Sequence, residues 1–177
     1  TGSIAGQIAK LAGARVVGIA GGAAKCARLV DEFGFDAAID YKAENLFTAL
    51  KRECPAGIDL YFDNVGGTTL EAVLFRMNLR GRIICCGVVS QYDTGQPAPG
   101  PRGVPGLIVT KRLTMRGFIL GDEPELVSLA DRELTTWLDQ GQLIVAEDIL
   151  DGLETAPGGL IGLLAGENFG KRMVRVS

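Results

Sequence analysis

Apolar positions along the chain switch repeatedly between two spacings. Ile4, Ile8 and Leu11 recur at helical spacing, with small Ala5, Ala9 and Ala12 beside them, which predicts a helix from about Gly2 to Ala12. Arg15-Val16-Val17-Gly18-Ile19-Ala20 is a short run rich in β-branched residues, the pattern of a buried strand. A helix from about Ala23 to Phe33 follows, with Cys26, Leu29, Val30 and Phe33 on one face and Gly34 as its cap. Ala37–Tyr41 then reads as a strand, Asn45–Cys54 as a helix stopped by Pro55, and Ile58–Val65 as a strand closed by Gly66-Gly67. Thr68–Met77 forms the next helix and Gly81–Val89 the next strand. Strand–helix–strand repetition at this spacing implies an α/β fold, a doubly wound parallel sheet with helices on both faces.

The rhythm breaks from Ser90 to Gly106, a stretch that carries Pro97, Pro99, Pro101 and Pro105. Structureless connections longer than about 12–15 residues are usually functional or disordered. This one follows the C-terminal end of a strand, where α/β folds bind ligands, so a functional loop is expected. A helix near Leu107–Lys111, a strand at Leu113–Leu120 and a helix at Glu125–Gln140 complete the pattern.

Composition narrows the function classes. The 25 glycines fall between apolar runs and not in a low-complexity tract, as tight strand–helix junctions require. Lys and Arg number 18 against 21 Asp and Glu, without a basic stripe, which argues against nucleic acid as a partner. No apolar run reaches the roughly 18 residues that a membrane-spanning helix needs. The chain has no histidine, and Cys26, Cys54, Cys85 and Cys86 make no C-x-x-C pair, so no metal site is expected. Cys26, Cys85 and Cys86 sit in apolar patterns and are expected to be buried reduced thiols, in keeping with a cytoplasmic setting.

Candidate chemistry lies where strands end. Gly2 and Gly6 form a G-x-x-x-G at a helix start, where backbone amides can approach a pyrophosphate; two such glycines also serve plain helix–sheet packing. They read as the back half of a glycine-rich dinucleotide loop, whose preceding strand and first glycine are expected to be missing from the Rossmann-type sheet. At the end of the second strand such folds often place an acid for the adenine ribose. Here stand Ala20-Gly21-Gly22, followed by Lys25 in the first helical turn. A lysine there opposes the helix dipole by about 0.3–1 kcal/mol, a placement that a 2′-phosphate would offset. Tyr41 ends the third strand, Asp63-Asn64-Val65-Gly66-Gly67 the next, and Cys86-Gly87-Val88-Val89-Ser90-Gln91-Tyr92 the one after.

Together these residues resemble the zinc-independent medium-chain dehydrogenase/reductases, in the prostaglandin reductase and alkenal double-bond reductase branch. The resemblance runs through Gly6-Gln7-Ile8-Ala9-Lys10, Val17–Gly21, Lys25-Cys26, Asp40-Tyr41-Lys42, Tyr61–Gly67, Cys86-Gly87, Ser90-Gln91-Tyr92, Gly117-Phe118 and Asn168-Phe169-Gly170-Lys171. It implies NADP(H) as cofactor, with Gly2 and Gly6 on the pyrophosphate and Lys25 and Tyr41 on the 2′-phosphate. Asn64, Cys86, Gly87, Ser90, Tyr92, Phe118, Ile119, Leu120 and Asn168 would line the rest of the cofactor, and Tyr92 would donate a hydrogen bond to a developing enolate oxygen. The resemblance further implies a cofactor domain over residues 1–142. Residues 143–177 would return toward a GroES-like substrate domain, with Arg172–Val176 belonging to that domain. The expected reaction is NADPH-dependent reduction of an enone or enal. A quinone reductase and a non-catalytic NADPH-binding protein are the alternatives. Relatives commonly dimerise through the cofactor domain, for which Leu113–Leu120 would be an edge strand.

Overall fold

The computed structural model describes residues 1–92 and 100–176. Among the described residues seven α-helices and seven strands alternate: α1 (Gly2–Leu11), β1 (Val17–Ala20), α2 (Ala23–Asp31), β2 (Ala37–Asp40), α3 (Leu46–Glu53), β3 (Ile58–Asp63), α4 (Gly67–Arg76), β4 (Met77–Cys85), α5 (Val104–Lys111), β5 (Thr114–Gly117), α6 (Pro124–Asp139), β6 (Glu147–Asp151), α7 (Ala156–Leu164) and β7 (Lys171–Arg175). Every strand pair is parallel, in three sheets of order β1-β2, β3-β4-β5 and β6-β7. The α/β class and the parallel pairing are as the spacing predicts. The ladders of β1-β2 and β3-β4-β5 are separate among the described residues.

The chain divides into two compact units, Thr1–Lys42 with Thr136–Ser177, and Ala43–Thr135. In the first, Phe33, Phe35, Ile39 and Leu143 are buried. Gln7 is buried too. Its side-chain amide donates to the Ile144 carbonyl at 2.9 Å, and its carbonyl accepts from the Ile144 N–H at 2.8 Å. One side chain on α1 thus satisfies both backbone groups of a residue in the chain leading to β6. The aromatic ring of Phe35 lies against two glycines: a Cβ on Gly18 would stand 2.9 Å from Phe35 Cδ2, and one on Gly6 would stand 2.6 Å from Cε1. The β1 run is less enclosed than its apolar character predicts, with Gly18 its one buried residue. It pairs on one edge alone among the described residues.

In the second unit Ala49, Leu50, Leu70, Val73, Leu74, Met77 and Ile83 form the core. Asn45 caps α3 by accepting from the Thr48 N–H at 3.1 Å. The C-terminal carbonyls of α4 are met by one side chain: the Lys111 ammonium donates to Phe75 and Met77 at 2.8 Å each and to Leu74 at 3.3 Å. That cap ends α4 sharply, and β4 begins at Met77 rather than at the expected Gly81. Ile58 pairs with Met77 and Leu60 with Arg82, so β4 bulges in between, where Arg80 is left-handed at φ 62°. The helix expected near Leu107 begins at Val104, because Pro105 falls in its first turn, where no backbone donor is needed. Of the long loop, residues 93–99 lie outside the described residues. Glu71, buried on α4, holds the far end of that connection. Its carboxylate accepts from the Arg102 backbone N–H at 2.9 Å and from the guanidinium at 2.6 and 2.9 Å.

Candidate functional site

In the first unit β1 and β2 end in register, with Ala20 opposite Asp40, so Gly21 and Tyr41 are the next residues out. Tyr41 and Lys42 fold back over Gly21. A Cβ on Gly21 would meet Lys42 Cε at 2.9 Å, Tyr41 Oη at 3.0 Å and Tyr41 Cε1 at 3.1 Å. A side chain there would displace the ends of the Lys42 and Tyr41 side chains. Asp40 fixes the turn: its Oδ1 accepts the Gly22 N–H at 2.8 Å and the Lys42 N–H at 3.0 Å. Gly22, at φ 105°, opens α2.

Lys25, in the first turn of α2, donates its ammonium to the Gly166 carbonyl. Burial lowers its pKa from the ordinary lysine value, and Lys42 and Arg172 lower it further, partly opposed by Asp148. Two neighbouring cations thus disfavour the charge on Lys25, which is a cost that an anion would relieve. The loop that bears Gly166 also bears Asn168, whose amide donates to the Gly170 carbonyl at 2.9 Å. Lys25, Tyr41 and the Asn168 loop therefore belong to one unit. Lys42 and Arg172 join them, which the sequence alone did not single out. Lys42 follows a strand end and so carried a signal, whereas Arg172 carried none.

In the second unit the register places Asp63 opposite Cys85 and Cys85 opposite Gly117. Asn64, Cys86 and Phe118 are therefore the first residues beyond three adjacent parallel strands, on one sheet edge. Asp63 is 2% exposed, and its Oδ1 accepts from Gly66 N–H at 2.9 Å, Val65 N–H at 3.0 Å and the Tyr61 hydroxyl at 3.2 Å. This carboxylate builds the turn that carries Asn64. The turn is stitched to the next strand end by Cys86 N–H to Asp63 O, Val89 N–H to Asn64 O and Ser90 N–H to Val65 O, at 2.7, 3.0 and 3.1 Å.

These bonds bring Asn64, Gly87 and Tyr92 together. A Cβ on Gly87 would collide with Asn64 Oδ1 and stand 3.2 Å from Tyr92 Oη. Tyr92 is 60% exposed, and its hydroxyl accepts from Val88 N–H at 3.5 Å. Ser90 Oγ is enclosed above Gly66 and Gly67, and it has no hydrogen-bond partner among the described residues. Phe118, Ile119 and Leu120 are exposed at the end of β5. Burial and Asp63 raise the Cys85 thiol pKa, and the same two causes raise that of the Tyr61 hydroxyl, so both stay protonated at neutral pH.

One expectation changes: Cys54 is the buried cysteine, whereas Cys26, Cys85 and Cys86 are half-buried, and none of the four is in a disulfide. For Gly6 the structure supplies a packing reason in Phe35, while a Cβ on Gly2 would face open space. Among the described residues no group of three or more His, Cys, Asp or Glu could hold a metal ion. No helix among them is long and apolar enough to cross a membrane.

Parallel strands whose carboxyl-terminal ends carry glycine turns are the arrangement of a Rossmann-type α/β fold. The chain belongs to the zinc-binding dehydrogenase family, whose sequence profile matches residues 1–135, and within it to the reductase branch of the medium-chain dehydrogenase/reductases. It is 43% identical to an NADPH-dependent curcumin reductase of Escherichia coli, covering 99% of this chain and 52% of that protein. To a 2-alkenal reductase (NADP(+)-dependent) of Nicotiana tabacum it is 45% identical, covering 99% of this chain and 51% of the relative. The crystal structure of CurA from Vibrio vulnificus in complex with NADPH superposes with a TM-score of 0.94 at 42% identity, over 99% of this chain and 53% of that one. The chain thus spans about half the length of the curated relatives it matches.

Proposed function

We propose that this chain supplies the NADP(H)-binding part of a zinc-independent reductase that saturates the carbon–carbon double bond of α,β-unsaturated carbonyl compounds. Residues 1–142 form its cofactor domain, and 143–177 lead back to a substrate domain. The observation that carries the reading is the group at the β1–β2 end. Gly21 leaves room, Tyr41 and Lys42 close over it, and Lys25 stands in a field of like charge. A phosphate monoester fits that group, because it brings negative charge and acceptor oxygens to the Lys25, Lys42 and Tyr41 donors. The names of the curcumin and alkenal reductase relatives, and the NADPH-bound CurA structure, support the same cofactor.

Bound NADPH would supply the hydride that adds to the β-carbon, and solvent the proton that then adds to the α-carbon. The chain's own residues hold and orient. Lys25 and Tyr41 take the 2′-phosphate, the exposed N-terminus of α1 at Gly2 meets the pyrophosphate, and Asn64, Cys86, Gly87, Ser90, Phe118, Ile119, Leu120 and Asn168 line the remainder. Tyr92 accepts weakly from Val88 N–H, which leaves its own proton to donate to the carbonyl oxygen as charge builds there. The protein acts as a cytoplasmic homodimer joined through the cofactor domain, for which β5, the outer strand of its sheet, offers an edge.

Titration of the full-length protein with NADPH and NADH, followed by nicotinamide fluorescence, tests the cofactor reading. NADPH binds more tightly, and Lys25→Ala removes that preference while leaving NADH affinity unchanged. Equal affinity for the two cofactors overturns it. Turnover on an alkenal set against a quinone then decides the substrate class. Faster reduction of the quinone would make the protein a quinone reductase, and tight binding without turnover a non-catalytic NADPH-binding protein.

A further inference from the structure

The loop between α7 and β7 is tied to α2 at three points. Lys25 donates to the Gly166 carbonyl. The Arg28 guanidinium carbon lies 3.4 Å from the centroid of the Phe169 ring, a close cation–π contact. Phe33, just beyond the end of α2, stacks on the same ring, with centroids 5.8 Å apart and planes 2° from parallel. Arg28 is itself held by Glu32, with hydrogen bonds of 2.5 and 2.6 Å. The exit of the loop is equally constrained, since Gly170 adopts φ 83° and a Cβ there would lie 2.6 Å from the Ala146 carbonyl carbon.

We propose that Phe169 is a positioning residue for 2′-phosphate selectivity: seated on Arg28 and Phe33, it holds the Gly166 carbonyl against Lys25 and so fixes where Lys25 presents its charge. The inference rests on the NADPH reading of the site above. An ammonium group has three donors. Gly166 takes one of them, which orients the other two and restrains a long, rotamer-rich stem before any ligand arrives. Phe169 acts through the lysine and not by touching the cofactor. Without its ring, the loop loses both aromatic contacts, and Gly166 is no longer held at the end of the Lys25 side chain.

The test is a cycle of dissociation constants for NADPH and NADH on the full-length protein, with wild type, Phe169→Ala, Phe169→Tyr, Lys25→Met and the Lys25→Met/Phe169→Ala pair. Phe169→Ala weakens NADPH binding about tenfold and leaves NADH within about twofold. Phe169→Tyr, which keeps the ring, restores NADPH affinity. In the Lys25→Met background, Phe169→Ala has no further effect on either cofactor. Loss of both cofactors in equal measure overturns the proposal, as does a selective loss that persists without Lys25. Arg28→Gln removes the cation and leaves the ring stack. It gives a smaller loss with the same selectivity, and it keeps the test open if Phe169→Ala does not fold. A wild type with no preference for NADPH refutes the cofactor reading itself, whereas a preference untouched by Phe169→Ala refutes only this inference.

Discussion

The two glycines at the start of α1 answer to different physical demands, and replacing each by alanine separates them. At Gly6 a Cβ would stand 2.6 and 2.7 Å from Phe35 Cε1 and Cε2, and closer still to Cζ. Ordinary contact begins at 3.4 Å, so the ring, nearest at Cζ, must retreat by well over an ångström. It has little room, because Phe35 is 6% exposed and its Cδ2 and Cε2 would lie 2.9 and 3.1 Å from a Cβ on Gly18. Overpacking of this kind costs about 1–3 kcal/mol. Alanine gives back up to about 1 kcal/mol of helix propensity. The net loss for Gly6→Ala is then roughly 1–2 kcal/mol, a fall in Tm of roughly 2–8 °C for a chain of this size. Gly2→Ala meets nothing within 4 Å and leaves Tm unchanged or slightly raised. Thermal unfolding by far-UV circular dichroism reads both. In a Phe35→Leu background, where the ring is gone, the penalty for Gly6→Ala shrinks. A Gly6→Ala protein as stable as wild type that has nonetheless lost NADPH affinity would refute the packing argument, and would assign the glycine to the pyrophosphate.

Other outcomes follow from the same geometry. Asp63→Ala leaves the Val65 and Gly66 N–H groups and the Tyr61 hydroxyl without their acceptor; it destabilises by about 1–3 kcal/mol in urea unfolding and perturbs the Asn64 turn. Tyr92→Phe lowers turnover on an enone by about 100–1,000-fold with NADPH affinity kept, and unchanged kcat removes Tyr92 from the mechanism. The Asp36 carboxyl is held below its ordinary pKa by the Val16 N–H at 2.6 Å and by Lys10 at 2.9 Å. A depressed folded value means that its contribution to stability is present above the unfolded pKa of 3.8 and is lost as pH falls through the folded value. Asp36→Asn is accordingly less stable than wild type at neutral pH, and the difference closes as pH falls below 3.8 and through the folded value, which acid unfolding curves of the two proteins read.

Periodicity determined the order and kind of the first five helices and strands, because alternation between spacings of two and three-to-four residues is a property of the chain itself. It also determined where candidate chemistry lies, since glycine turns after β-branched runs mark the ends of parallel strands. Boundaries were legible only where a local signal sets them. Asn45 and Pro55 bracket α3 correctly, but the start of β4 depends on Lys111, 34 residues beyond Met77 in the chain, reaching back to cap α4. β6 and α7 were not marked, because α7 is Gly- and Leu-rich without a clear polar face and β6 alternates acids with apolar residues over only five positions.

Of the candidate site, the sequence determined which residues stand at strand ends, and the family resemblance proposed their roles. Tertiary structure decided which of them share an environment. Registers of β1 with β2, and of β3 with β4 and β5, place Tyr41 beside Gly21 and Asn64, Cys86 and Phe118 in one row. Packing decided that Gly6 faces Phe35, that Arg172 and Lys42 bear on Lys25, and that the Phe169 loop lies on α2. Each of these is a contact between residues far apart in sequence. Local patterning reports what a segment prefers, whereas the distance between two charges or two rings exists only once the backbone has closed.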